Sequence, residues 1–154
     1  MSNYNLTLNE TINFLDILET TQAELSIINA VINTLNKIGI PTVYIGDMKS
    51  FDVQRTGIFG VLSMDSVEVS GYTISQQNTI SAYTFMLRAY YLQSTTFASF
   101  DNVIKQEFLP ALLNVNLTYG KEIIGYQLNS TYKPMIRERG AYIAHYTFTV
   151  QVLY

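Results

Sequence analysis

The sequence predicts an α+β domain: an antiparallel β-sheet of long hairpins with two main helices packed on one face. Three observations predict it. The end of the chain, Ala141 to Tyr154, alternates cleanly. Tyr142, Ala144, Tyr146, Phe148, Val150, Val152 and Tyr154 share one face, and Ile143, His145, Thr147, Thr149, Gln151 and Leu153 the other. Period-two alternation rich in aromatic and β-branched residues is the pattern of a half-buried strand, here expected at or near the sheet centre. Two other stretches carry apolar residues at helical spacing, and the remaining strand-like runs come in pairs joined by turn-forming residues.

Residues 1–20 read as an N-terminal extension or arm, with a short amphipathic helix suggested by Leu8, Ile12, Leu15 and Leu18. Residues 21–154 read as one domain. Thr21 and Glu24 form a capping box. Behind it Leu25, Ile28, Ile32, Leu35 and Ile38 repeat at helical spacing until Gly39 and Pro41 stop the helix. Thr42 to Ile45 is a short strand, and Gly46 to Thr56 a polar loop. Gly57 to Val69 alternates in two phases, which predicts a bulge near Asp65. Ser70, Gly71 and Ser75 to Asn78 mark a hairpin loop. Ile80 to Leu92 is a long strand, with Tyr83, Phe85, Leu87, Ala89 and Tyr91 opposite Thr84, Met86, Arg88 and Tyr90. Ser94 to Ser99 reads as a polar hinge. Phe100, Val103, Ile104, Phe108 and Leu112 then space as a second helix, with Asp101 giving negative charge at its start and Pro110 expected to kink or end it. Tyr119 and Gly120 form a turn. Lys121 to Tyr132 is a strand whose Ile123 and Ile124 give no clear phase. Lys133 to Gly140 is a charged loop, and the alternating strand closes the chain.

At 154 residues the chain is long enough to bury a core. Charged residues make up 14 %, against about 25 % in typical domains. Asn, Ser, Thr and twelve Tyr fill the deficit. Neutral polar and aromatic groups cost little to desolvate, so such a surface suits protein contact; an AT-rich genome would give the same bias. The net charge of −3 argues against a nucleic-acid module. Cysteine is absent, so thiolate metal sites and disulfides are excluded. The opening MSNYNLTLNE lacks the regions of a signal peptide, and no apolar run reaches the roughly 18 residues of a membrane span. The expectation is a soluble protein made in a cytoplasm.

No catalytic constellation is legible, and the expectation is a protein that is not an enzyme and uses no cofactor. His145 is the lone histidine, on the polar face of the last strand. GxSxG, HExxH and Walker A motifs are missing. Asp47 and Asp52 are spaced like oxygen ligands, but Lys49 and Arg55 between and beside them favour a solvated loop. Gly57 and Gly60 read as a strand start and a close backbone approach. Two loops combine large apolar residues with a charged rim: Met48, Phe51 and Arg55 in one, Met135, Ile136, Arg137, Glu138 and Arg139 in the other. An apolar anchor rimmed by charge is the pattern of a subunit or partner contact.

Over residues 22–154 the chain resembles the tail-terminator (tail-completion) proteins of long-tailed bacteriophages, the lambda type and its contractile-tail relatives. The resemblance lies in size and element order, in the leading helix ending at Gly39-Ile40-Pro41 before a short strand, and in the loop Arg137 to Gly140 leading into Tyr142-x-Ala144-x-Tyr146-x-Phe148-x-Val150. It implies a structural virion protein that does no covalent chemistry. Such proteins form a ring, usually a hexamer, at the head-proximal end of the tail tube, where they end tail growth and join the head connector. The implied partners are other copies of the chain, the tail tube protein and a head-closure or connector protein, with DNA passing through the ring and no membrane. The N-terminal extension departs from the family pattern. Alternatives are another neck or tail component, such as a head-closure, tube or baseplate protein, or a cytoplasmic small-molecule-binding domain with the aromatic sheet face as its pocket.

Overall fold

The computed structural model describes residues 21–45, 58–72, 79–92, 96–132, 137–138 and 141–154. Its first element is helix α1, Gln22–Lys37. The capping box forms as expected: the backbone N–H of Glu24 donates to Thr21 Oγ1 at 3.2 Å. At the other end Gly39 takes φ +91°. Ile40 N–H then reaches back to Leu35 O at 2.9 Å and Gly39 N–H to Asn36 O at 3.1 Å. This pair of bonds is a Schellman stop, and only glycine adopts its left-handed residue without strain. The released chain is pinned at once, because Thr42 N–H donates to Asn36 Oδ1 at 3.0 Å.

Strand β1, Thr42–Tyr44, follows, then β2, Phe59–Tyr72, and β3, Thr79–Leu92. A helical run over residues 97–114, here α2, leads to β4, Glu122–Tyr132, the short β5, Arg137–Glu138, and β6, Ala141–Leu153. The order across the sheet is β1-β2-β3-β6-β4, with β5 pairing β6. Every pair is antiparallel except β1 with β2. The C-terminal strand is therefore interior, between β3 and β4. Gly60 sits where β1 crosses close: a β-carbon there would lie 2.9 Å from Thr42 Oγ1 and 3.1 Å from Leu87 Cδ1.

Both helices cover one face. Ile27, Ile28, Val31, Ile32 and Leu35 of α1, and Phe100, Ile104, Phe108 and Leu112 of α2, join one buried cluster with Phe85, Leu87, Tyr146, Phe148, Val150 and Val152. The α1 stripe is broader than its spacing suggests: Ile27 and Val31 are fully buried, while Leu25 and Ile38 sit at its rim. Tyr91 stacks on Phe100 at 5.0 Å, and Phe108 meets Phe148 edge-on at 5.5 Å.

Helix α2 differs from expectation at three points. It begins at Phe97, not Phe100, because Thr96 Oγ1 accepts from Ser99 N–H at 3.1 Å and caps it. Asp101 is therefore a full turn inside the helix. It accepts from Tyr146 Oη at 3.1 Å and pairs with Lys105 at 2.7 Å, so it anchors α2 to β6 instead of serving the helix end. Pro110 does not end the helix. A π-turn over Ile104–Phe108, closed by Leu109 N–H to Ile104 O, widens the turn before it. The missing proline donor and the ring are absorbed there, and the run continues through Leu109–Ala111 and a 3₁₀ turn at Leu112–Asn114.

Two buried tyrosines and one half-buried one give the fold a pH signature. Burial, then the nearby Asp101, pushes the Tyr146 hydroxyl far above its usual 10.0. Tyr83 and Tyr154, whose hydroxyls lie 2.6 Å apart, are likewise raised, first by burial. The folded state thus holds these protons more tightly than the unfolded chain. The contribution of these three groups to stability should be constant below pH 10, the unfolded value, and fall as pH rises above it. Equilibrium denaturation across an alkaline pH series checks this. Phenolate absorbance should show these three groups titrating only as the chain unfolds.

Candidate assembly surfaces

Cross-strand partners share a face, so the register defines the side of the sheet that no helix covers. Six rungs cross it. Phe59, Tyr90 and Ile143 form the first, and Val61, Arg88, His145 and the register position of Tyr132 the second. Ser63, Met86, Thr147 and Ser130 follow, then Ser66, Thr84, Thr149 and Gln127. Glu68, Ala82, Gln151 and Gly125 form the fifth, and Gly71, Ile80, Leu153 and Glu122 the sixth. The contacts agree with the register: Phe59 stacks on Tyr90 at 4.4 Å, and the Thr84 and Thr149 hydroxyls lie 3.0 Å apart. Asn129, in a bulge of β4, donates to Thr149 Oγ1 at 2.8 Å.

This face is not uniformly polar. Tyr90 is buried in a small second cluster with Phe59, Val61 and Ile143, against which Val43 and Ile45 pack. Its hydroxyl has no hydrogen-bond partner among the described residues. Tyr90 thus corrects the reading of its face as polar: alternation placed it correctly but could not show that this end of the face is covered. Beyond it the face is hydroxyls and amides around an exposed Met86.

His145 lies on this face as expected, with Arg88 beside it across the strands. The sheet beneath it and then the Arg88 charge lower its pKa from 6.5, so at neutral pH the imidazole is uncharged and Arg88 is the cation of that rung. The Arg88 side chain is half-buried, and its shielded Nε has no hydrogen-bond partner among the described residues. Among the described residues no group of three or more His, Asp or Glu could hold a metal, and no helix is long and apolar enough to cross a membrane.

The two sheet edges form a second surface. Strand β1 pairs β2 only over Gly60–Leu62, so among the described residues β2 is the outer strand from Ser63 onward. Two register shifts interrupt it, at Asp65 and Ser70, the first where the sequence phase changes. Strand β4, the opposite edge, shifts at Ile124 and Asn129. The shift at Ile124 is why Ile123 and Ile124 gave no clear phase. Bulges and charges on an edge discourage open-ended strand addition, which leaves side chains to make contacts. Each edge also exposes apolar groups: Val67 and Val69, the latter 60 % exposed, on β2, and Ile124 and Tyr126 on β4, near a 53 % exposed Tyr119.

The aromatic sheet face proposed as a pocket is filled by the helices. A cleft of about 430 Å³ lies instead between α1 and the segment after α2, lined by Asn29, Asn33, Lys37, Asn114, Asn116 and Thr118. Ser26 closes one end, accepting from Tyr119 N–H at 3.0 Å and Thr118 Oγ1 at 3.2 Å.

Of the contact residues read from the sequence, Met48, Phe51, Arg55, Met135, Ile136 and Arg139 lie outside the described residues, as do Asp47, Asp52 and Gly57. Arg137 and Glu138 form β5, at register positions opposite Tyr142 and Ala141. The predicted helix within residues 1–20 also lies outside. No family model matches the chain, and no match to a curated protein was found.

Proposed function

We propose that this chain is a structural protein of a tailed bacteriophage that assembles with copies of itself into a ring at the head-proximal end of the tail tube, ending tail growth and joining the head connector. One observation supports the self-assembly most directly. Each sheet edge exposes a pair of apolar residues, Val67 and Val69 on β2 and Ile124 and Tyr126 on β4, on opposite sides of the subunit. Patches on opposite sides of one subunit suit a head-to-tail contact, in which one copy's β2 edge meets the next copy's β4 edge. Such contacts close into rings when the rotation between copies divides a full turn. The tail location rests on the resemblance in size, element order and the Arg137-to-Val150 pattern.

Native mass spectrometry with negative-stain imaging tests this reading. The expected result is a closed ring of defined copy number that binds the ends of tail tubes. Val69→Asp should disperse the ring while leaving the melting curve unchanged, because the side chain is exposed and introducing a charge into an apolar contact is strongly unfavourable. A wild-type chain that forms no ring, or a ring indifferent to Val69→Asp and to Tyr126→Asp, overturns it.

A further inference from the structure

The helix-free face carries opposite charges at its two ends. Arg88 stands on the second rung, and Glu68 and Glu122 on the fifth and sixth. Arg88 and Glu68 are separated by three rungs, about 20 Å at the usual rise per residue. Among the described residues neither has a salt-bridge partner; the Asp101–Lys105 ion pair lies on the other side of the sheet. Arg88 is half-buried, and partial burial of a guanidinium is offset when a carboxylate meets its outer side. Between the charged ends lie two neutral rungs of Ser, Thr, Met and Gln, whose desolvation costs little by comparison with charge.

We infer that two copies of this chain pack these faces together about a twofold axis that crosses the strands between the third and fourth rungs, so that Arg88 of each copy meets Glu68 of the other. Such an axis lays the second rung of one copy over the fifth rung of its mate. Arg88 then faces the mate's Ala82, with the mate's Glu68 one strand spacing away, about 5 Å. The third rung lies on the fourth, and the exposed Met86 enters the hydroxyl-lined middle. An axis along the strands would instead set Arg88 against Arg88, so the charges select one orientation. The free face, four strands by five rungs, is about 400–500 Å² in plan by the usual strand spacings, which is the range of weak, reversible association. The contact does not require the ring. Its axis runs from one sheet edge toward the other, so in a chain that forms rings through those edges it joins subunits of neighbouring rings, and in a chain without rings it makes a dimer.

Sedimentation velocity over a concentration series tests it. The full chain should gain mass with rising concentration, from monomer to dimer or, where rings form, from single to linked rings, and salt should weaken the step. Arg88→Glu and Glu68→Lys should each reduce the association constant at least about tenfold, and the double variant Arg88→Glu/Glu68→Lys should recover most of it. Glu68 is exposed, so Glu68→Lys carries the test even if Arg88→Glu unfolds. Absence of concentration-dependent association, single variants that associate like wild type, or a charge swap that fails to rescue would each overturn the inference. Ring formation in the Val69→Asp assay is read separately, so failure of one proposal does not imply failure of the other.

Discussion

Phe148→Ala is expected to lower the unfolding free energy by about 3–5 kcal/mol, the range for emptying a buried aromatic site. Phe148 is 1 % exposed and lies at the junction of three strands and a helix. It stacks on Phe85 of β3 at 5.5 Å and faces Leu128 of β4 in register. Phe108 of α2 closes on it edge-on at 5.5 Å. Strands β3, β4 and β6 are fixed by their hydrogen-bond ladders and cannot collapse into the space left behind. The loss is a large part of the roughly 5–15 kcal/mol that holds a domain of this size together. Urea denaturation checks it. A loss below about 1 kcal/mol would mean that α2 is not seated on β6.

Ile32→Ala is expected to cost about 2–5 kcal/mol. Ile32 is 1 % exposed, in the middle of the α1 stripe, with Ile28 and Leu35 a turn away on either side and both fully buried. Alanine keeps the helix propensity high, so the effect reports packing on the sheet and not a weaker helix. The matched control is Asn33→Ala, next in sequence but on the exposed side of α1, which should change stability by less than about 0.5 kcal/mol. If denaturation finds the two variants alike, the α1 stripe does not support the core as the structure places it.

Much of this fold was legible because its signals are local. The capping box at Thr21 and the Gly39 stop involve contacts within a few residues, and both formed. Alternation along 141–154 and 80–92 assigned each side chain to its face, since a strand's pleat leaves no choice. The phase change near Asp65 announced a bulge for the same reason. Proline 110 misled because a missing donor has two remedies, ending the helix or widening one turn. Burial of Ile104 and Phe108 on either side of the π-turn holds the second remedy in place. Asp101 looked like a helix-end charge because its partner, Tyr146, lies 45 residues away.

By itself, the sequence determined the classes of element, the two helix stripes, the faces of the strands over 80–92 and 141–154, and the absence of thiolate chemistry. The tertiary structure alone decided that β1 runs parallel to β2, that Tyr90 is buried on the face without helices, and that exposed apolar residues occupy opposite edges. It also decided that Arg88 and Glu68 stand at two ends of one surface. The physical reason is register. Alternation assigns a residue to a face, but which residues become neighbours on that face is set by pairing between strands distant in sequence, and no pattern within one strand encodes it.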